Sequence, residues 1–229
     1  MNLKTKFLAS CLILACILVP VKSIEAATEL ELDAVQRLFV DTHYQTAIEV
    51  CTANGLPWEA VMAQGILESG SGRTKLARER NNLFGICAYD SDVNKAKYYE
   101  TTEECWASYC RVITGSARYA DAANNYATDP YGYVAAIKAA GYATDPEYVN
   151  KLSSIVARIE AYSLEMGYKS SAFLQLELEN QRLREEMARQ QHLELEEIVR
   201  RGEENPILQE NTLYRSILHL YKGQELGFA

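Results

Sequence analysis

The sequence predicts a mostly helical, α+β domain with a small β-hairpin lobe and a C-terminal helical tail. Three observations lead there. Apolar residues recur at helical spacing over residues 29–53 and 57–69. One stretch, residues 86–100, reads instead as a hairpin with its turn at Asp90–Asn94. From about Lys169 the composition turns to a charged amphipathic helix. We therefore expect a leader at 1–26, a globular domain at 27–168 and a tail at 169–229, with 229 residues in all.

Lys4 and Lys6 precede an apolar run from Phe7 to Val21, followed by small residues around Ala26. This is the layout of a secretory signal peptide, with an uncleaved membrane anchor as the alternative. Without residues 1–26 the chain keeps 20 basic and 30 acidic residues, a net of −10. A nucleic-acid partner is not expected, because phosphate binding needs clustered Lys and Arg. Cys51, Cys87, Cys105 and Cys110 remain after the leader. They allow two disulfides in an exported chain, with buried free thiols as the alternative. Cys105 and Cys110 fall on different faces of one helix and are not placed to pair with each other. No CxxC or His cluster suggests a metal, and no cofactor is implied.

The first helix, residues 29–53, places Leu32, Val35, Leu38, Phe39, Ala47 and Ile48 on its apolar side. In the second, Pro57 suits the first helical position and Val61, Met62, Gly65, Ile66 and Leu67 fill the interior. Ser69-Gly70-Ser71-Gly72 should end it, since glycine accepts the left-handed cap. A short polar helix follows over 72–80, then a turn at Asn81–Gly85, the hairpin, and a helix from Thr102 to Thr114. Tyr-Ala-Thr-Asp-Pro occurs at 126–130 and again at 142–146. In each copy Asp reads as an N-cap with Pro as the first helical residue. In the tail, Phe173, Leu176, Asn180, Leu183 and Met187 fit coiled-coil a and d positions over about two heptads, with a helix packed on its own domain or projecting into solvent as the alternative. Residues 173–200 could thus self-associate or bind a partner helix. Gly202–Pro206 breaks this helix, and residues 207–221 form a last short one.

Glu68 occupies the last turn of the apolar second helix. The negative end of the helix dipole and burial both favour its protonated form, which suits a general acid. The plainer alternative is an exposed Glu at a helix end.

Ala63-Gln-Gly-Ile-Leu-Glu68-Ser-Gly70-x-Gly72, Leu76-Ala77 and Asn81-Asn-Leu-Phe-Gly-Ile86 resemble the glucosaminidase domain of bacterial peptidoglycan hydrolases, the flagellar muramidase-like and autolysin family. Gly141-Tyr-Ala-Thr-Asp-Pro-x-Tyr148 is similar to that family's second signature. The likeness covers roughly residues 30–165. Two residues depart from it: Ser71 stands where a large or aromatic residue is common, and Cys87 where a Lys is common.

The resemblance implies a lysozyme-like domain, exported to the cell wall, that cleaves the β-1,4 bond after N-acetylglucosamine in peptidoglycan glycan strands. Glu68 would be the proton donor. The second carboxylate would lie near Glu104, with Glu100, Glu103, Asp90 and Asp92 competing. Glu104 also fits a capping box with Thr101. Tyr142 would hydrogen-bond the sugar or orient a water or acetamido group; among the residues nearby, Asn82 and Phe84 are expected to line the groove, with Tyr131 and Tyr133 as further candidates. Ten of fifteen tyrosines fall between Tyr89 and Tyr148, which suits stacking on sugar rings, although a packing role accounts for most of them. The rival activities are a muramidase or lytic transglycosylase, and a non-catalytic wall-binding or assembly protein that uses its tail.

Overall fold

A computed structural model of the chain describes residues 30–87, 96–205, 207 and 210–225. The expected leader, 1–26, and the expected hairpin turn lie outside the described residues. Helix α1 spans Ala34–Ala53. It starts later than the sequence pattern suggests because Asp33 caps it, accepting from the backbone N–H groups of Val35 and Gln36 at 2.8 Å each. The Gln36 amide oxygen accepts in return from Asp33 N–H, completing a capping box.

Helix α2, Trp58–Ser69, lies at the centre and packs on α1, on α6 (Pro130–Ala139) and on α7 (Tyr148–Met166). Nearly every α2 side chain from Trp58 to Ile66 is buried. A helix that is apolar all round is stable only when enclosed on all sides. Each large apolar side chain buried here contributes about 1.5–3 kcal/mol. At its end Gly70 adopts φ +57°, and its N–H bonds the Ile66 carbonyl, so the chain leaves the helix directly after Ser69.

Helix α3, Lys75–Arg80, is followed by irregular chain. Among the described residues there is no strand, so the expected β-hairpin lobe is not found. Its described flanks are joined by two backbone hydrogen bonds, Lys97 N–H to Ile86 O and Tyr99 N–H to Arg80 O. A side chain joins these flanks as well: Asn82 ties Ile86 and Lys97 together through its amide.

Helix α4, Thr102–Gly115, packs on α1. A 3₁₀ turn at Ala117–Tyr119 leads into the short α5, Ala120–Asn125, which the sequence reading did not anticipate. Asp129 caps α6 as expected, accepting from Tyr131 and Gly132 N–H. The second pentapeptide behaves differently. Asp145 accepts from Glu147 N–H at 2.9 Å and closes a turn, so α7 begins only at Tyr148. The two copies share residues but not a helix start.

All four described cysteines are free thiols, with Cys51, Cys105 and Cys110 in the core. Helix α8, Ser171–Glu203, begins against α2. The Ser171 backbone N–H and hydroxyl both donate to the buried Glu59 carboxylate, and Ser171 Oγ accepts from Trp58 N–H. The chain divides after Gln175 into two compact units. In the second, the rest of α8 pairs with α9, Thr212–Glu225, through Tyr214, whose hydroxyl donates to the Val199 carbonyl. Leu176, Leu183 and Met187 stay exposed.

Candidate active site

Glu68 projects from the last turn of α2 into a cleft of about 430 Å³ shared with Tyr142, Asp145, Tyr148 and Lys151. Two elements build the opposite wall: the loop 141–147 and the first turn of α7. The loop is held firmly. Gly141 turns it with φ +77°, and Tyr142 N–H bonds the Ile137 carbonyl. Arg118 donates to the carbonyls of Ala140 and Gly141, while Lys138 Nζ donates to those of Ala143 and Asp145. Two cations thus fix the backbone that presents Tyr142.

Tyr148, buried in the first turn of α7, donates its phenolic proton to Glu68 Oε1 at 2.9 Å. Glu68 is exposed at the mouth of the cleft, yet its partial burial against the cleft wall raises its pKa from the ordinary carboxylate value. The Tyr148 hydrogen bond acts the other way and is the weaker influence. A carboxyl held between these two effects can carry a proton and remain oriented. Tyr148 is pushed far above an ordinary phenol, first by burial and then by the charge of Glu68, so it stays a neutral donor.

Tyr142 lines the same cleft, with its ring centroid 6.0 Å from that of Tyr148. Its hydroxyl donates to the Phe84 carbonyl at 3.3 Å, and burial followed by the Glu68 charge holds it neutral. Asp145 is the other carboxylate of the cleft. It is paired with Lys151 at 2.6 Å, a bond that draws its pKa down. The cleft continues past Leu67 and Lys151 into a second hollow of about 450 Å³ along α7, lined by Asn150, Ser154, Ile155 and Arg158.

The remaining candidates sit elsewhere. Glu104 lies in the first turn of α4, where its N–H bonds Thr101 Oγ1 and its carboxylate accepts from Glu100 N–H at 3.1 Å. Asn82 is buried, with both its amide donors and its acceptor used on backbone groups of Ile86 and Lys97. The Phe84 ring is buried against Tyr109 and Trp106, and only its carbonyl reaches Tyr142. Tyr131 donates to Glu160 at 2.7 Å on the surface between α6 and α7. Among the described residues no group of His, Cys, Asp and Glu is placed to hold a metal ion.

The sequence reading missed Tyr148, Asp145, Lys151 and Gln64 as site residues. A signal for Gln64 was present: it is a polar residue four positions before Glu68 in an apolar helix, hence on the same face.

The family model described as mannosyl-glycoprotein endo-beta-N-acetylglucosaminidase matches residues 44–161. The chain is 32% identical over 145 residues to the peptidoglycan hydrolase FlgJ of Salmonella typhimurium, covering 53% of this chain and 45% of that protein. It is 29% identical over 163 residues to the exo-glucosaminidase LytG of Bacillus subtilis, covering 61% of this chain and 57% of that one. The chain thus spans about half the length of the curated relatives it matches. A solved glycoside hydrolase domain of S. typhimurium FlgJ superposes with a TM-score of 0.49 at 28% identity, over 58% of this chain and 92% of that domain.

Proposed function

The chain belongs to the glucosaminidase family of glycoside hydrolases, and from that premise we propose that it hydrolyses the β-1,4 glycosidic bond after N-acetylglucosamine in peptidoglycan, with Glu68 as general acid. The observation that carries this reading is the Glu68–Tyr148 pair in an open cleft, a carboxyl with a raised pKa and a fixed orientation. Glu68 hands its proton to the leaving oxygen as the C1–O bond breaks and positive charge grows on the sugar. Peptidoglycan as substrate is supported by the likeness to FlgJ, a peptidoglycan hydrolase, and cleavage at a glucosamine linkage by the likeness to LytG, an exo-glucosaminidase. The second hollow along α7 gives a polymer room to continue beyond the bond being cut.

Tyr142 contributes a neutral aromatic wall for a sugar ring. Glu104 is our candidate for the second carboxylate, with the substrate's own acetamido group as the alternative; Glu104 is held at the start of α4 by Glu100 N–H. Asn82 and Phe84 act on the groove through the backbone they fix. Tyr131 acts at its margin. The enzyme works outside the cell, exported by residues 1–26, with residues 27–168 forming the lysozyme-like catalytic domain and 169–229 a tail for self-association or partner binding.

The test is digestion of purified peptidoglycan by the wild type and by Glu68→Gln, with borohydride reduction and mass spectrometry of the products. Reduced N-acetylglucosamine ends that vanish with Glu68→Gln support the proposal. Reduced muramic ends or anhydro ends assign the other linkage. Single sugars released from chain ends would mark an exo mode, as in the name of LytG.

A further inference from the structure

The hydrogen bond received by Glu68 is the last link of a longer chain. Tyr133 Oη and Tyr109 Oη lie 2.8 Å apart. Tyr109 Oη donates to Gln64 Oε1, and Gln64 Nε2 donates to Tyr148 Oη at 3.2 Å. Tyr148 then donates to Glu68. Gln64, Tyr109 and Tyr133 are at most 1% exposed and Tyr148 is 3% exposed, so no bulk water competes along the path.

The direction of these bonds follows from proton counting. A phenol has one proton, and an amide has an accepting end and a donating end. With Gln64 Oε1 facing Tyr109, Tyr109 must donate to it and Tyr133 must donate to Tyr109. The Gln64 NH₂ then occupies a lone pair of Tyr148, whose single proton is left for Glu68. Turning the amide round reverses every bond: Tyr148 would donate to Gln64, and Glu68 would lose its donor. An ionised Glu68 therefore selects the first direction, while a protonated Glu68 can donate into the second.

We propose that Gln64, Tyr109 and Tyr133 are positioning residues which, through Tyr148, orient the Glu68 carboxyl and set its proton affinity. This inference rests on Glu68 being the proton donor. Among the described residues, the other titratable groups facing Glu68 across its cleft are Tyr142, engaged with the Phe84 carbonyl, and Asp145 and Lys151, engaged with each other. The chain is thus the direct polar influence on the carboxyl.

The test measures two things on wild type, Tyr148→Phe, Tyr109→Phe and the double variant. One is the pH profile of kcat/KM on peptidoglycan; the other is the titration of the Glu68 carboxyl by ¹³C NMR. Losing the Tyr148 proton disfavours the ionised form, so Glu68 keeps its proton to higher pH. Both the alkaline limb and the carboxyl titration should move up by about half a pH unit or more in Tyr148→Phe. Tyr109→Phe should move them less in the same direction, and should add nothing in the Tyr148→Phe background. If Tyr109→Phe fails to fold, Gln64→Met carries the same expectation. A carboxyl titration unmoved in these variants overturns the chain, even where overall rates fall. Because NMR reads Glu68 without catalysis, a moved titration together with a fully active Glu68→Gln would instead overturn the proton-donor role alone.

Discussion

Tyr148, at the first turn of α7, donates to Oε1 of Glu68, at the last turn of α2, across 2.9 Å. The two residues are eighty positions apart, and the contact joins the family's two sequence signatures into one cleft. It also explains why the second signature ends in a tyrosine: the residue that touches the acid is Tyr148, while Tyr142 forms the wall beside it.

Removing the acid should remove the chemistry and little else. Glu68→Gln keeps an oxygen to accept from Tyr148, so the fold should hold. The rate of wall digestion should drop at least about 100-fold, with the melting temperature within a few degrees of wild type. Turbidity clearance and thermal unfolding, measured side by side, check both halves.

The raised pKa of Glu68 fixes a sign for the pH dependence. The active form of a general acid is protonated, so activity is present at low pH and falls as pH rises through the raised folded pKa. The alkaline limb of kcat/KM should therefore lie above the ordinary glutamate value of about 4.3. A limb at or below that value would contradict the desolvated carboxyl.

Much of this was legible in the sequence, and the reasons differ from element to element. α2 could be read because Pro57, its apolar interior and Gly70 all point to one helix. Glu68 stood out because it closes the last turn of that helix inside the first signature motif, and the structure places it in a cleft. The hairpin is not shown: its turn lies outside the described residues, and its described flanks are tied by the Asn82 amide, a contact that the local pattern of an extended run does not announce. Tyr148 was visible as the end of the second signature, but not its role: its partners Gln64 and Glu68 become neighbours only when α7 packs on α2. Asn82 was visible as a special residue, but the sequence could not show that its amide would be spent on backbone.

Glu104→Gln separates chemistry from capping. Glutamine keeps an oxygen that can accept from Glu100 N–H, so the start of α4 should survive and the melting temperature should not move. With the base removed, the rate should fall by about tenfold or more. An unchanged rate would take Glu104 out of the reaction and leave the acetamido route.

Gly141 tests the rigidity of the Tyr142 loop. Its φ of +77° disfavours any residue with a Cβ, and that atom would stand 2.6 Å from the Arg118 guanidinium that anchors the loop. Gly141→Ala should cost about 1 kcal/mol or more in stability. Activity should fall further than that loss explains, because Tyr142 moves with its backbone. Urea unfolding gives the first quantity, and digestion at a temperature where the variant is fully folded gives the second.

The buried Glu59 makes the last prediction. Its carboxylate receives both the N–H and the hydroxyl of Ser171, yet burial still raises its pKa above the ordinary value. A folded pKa above the unfolded one means that its contribution to stability is full below the unfolded pKa and is lost as pH rises through the folded pKa. Glu59→Gln removes that titration while keeping an acceptor for the Ser171 N–H. The melting temperature of wild type should therefore fall more than that of Glu59→Gln as pH is raised from about 4 to 7. Glu59→Ala, by contrast, leaves buried donors of Ser171 unpaired and should cost about 1–3 kcal/mol at any pH. A Glu59→Gln protein whose pH–stability curve runs parallel to wild type would show that the carboxyl does not titrate where its burial places it.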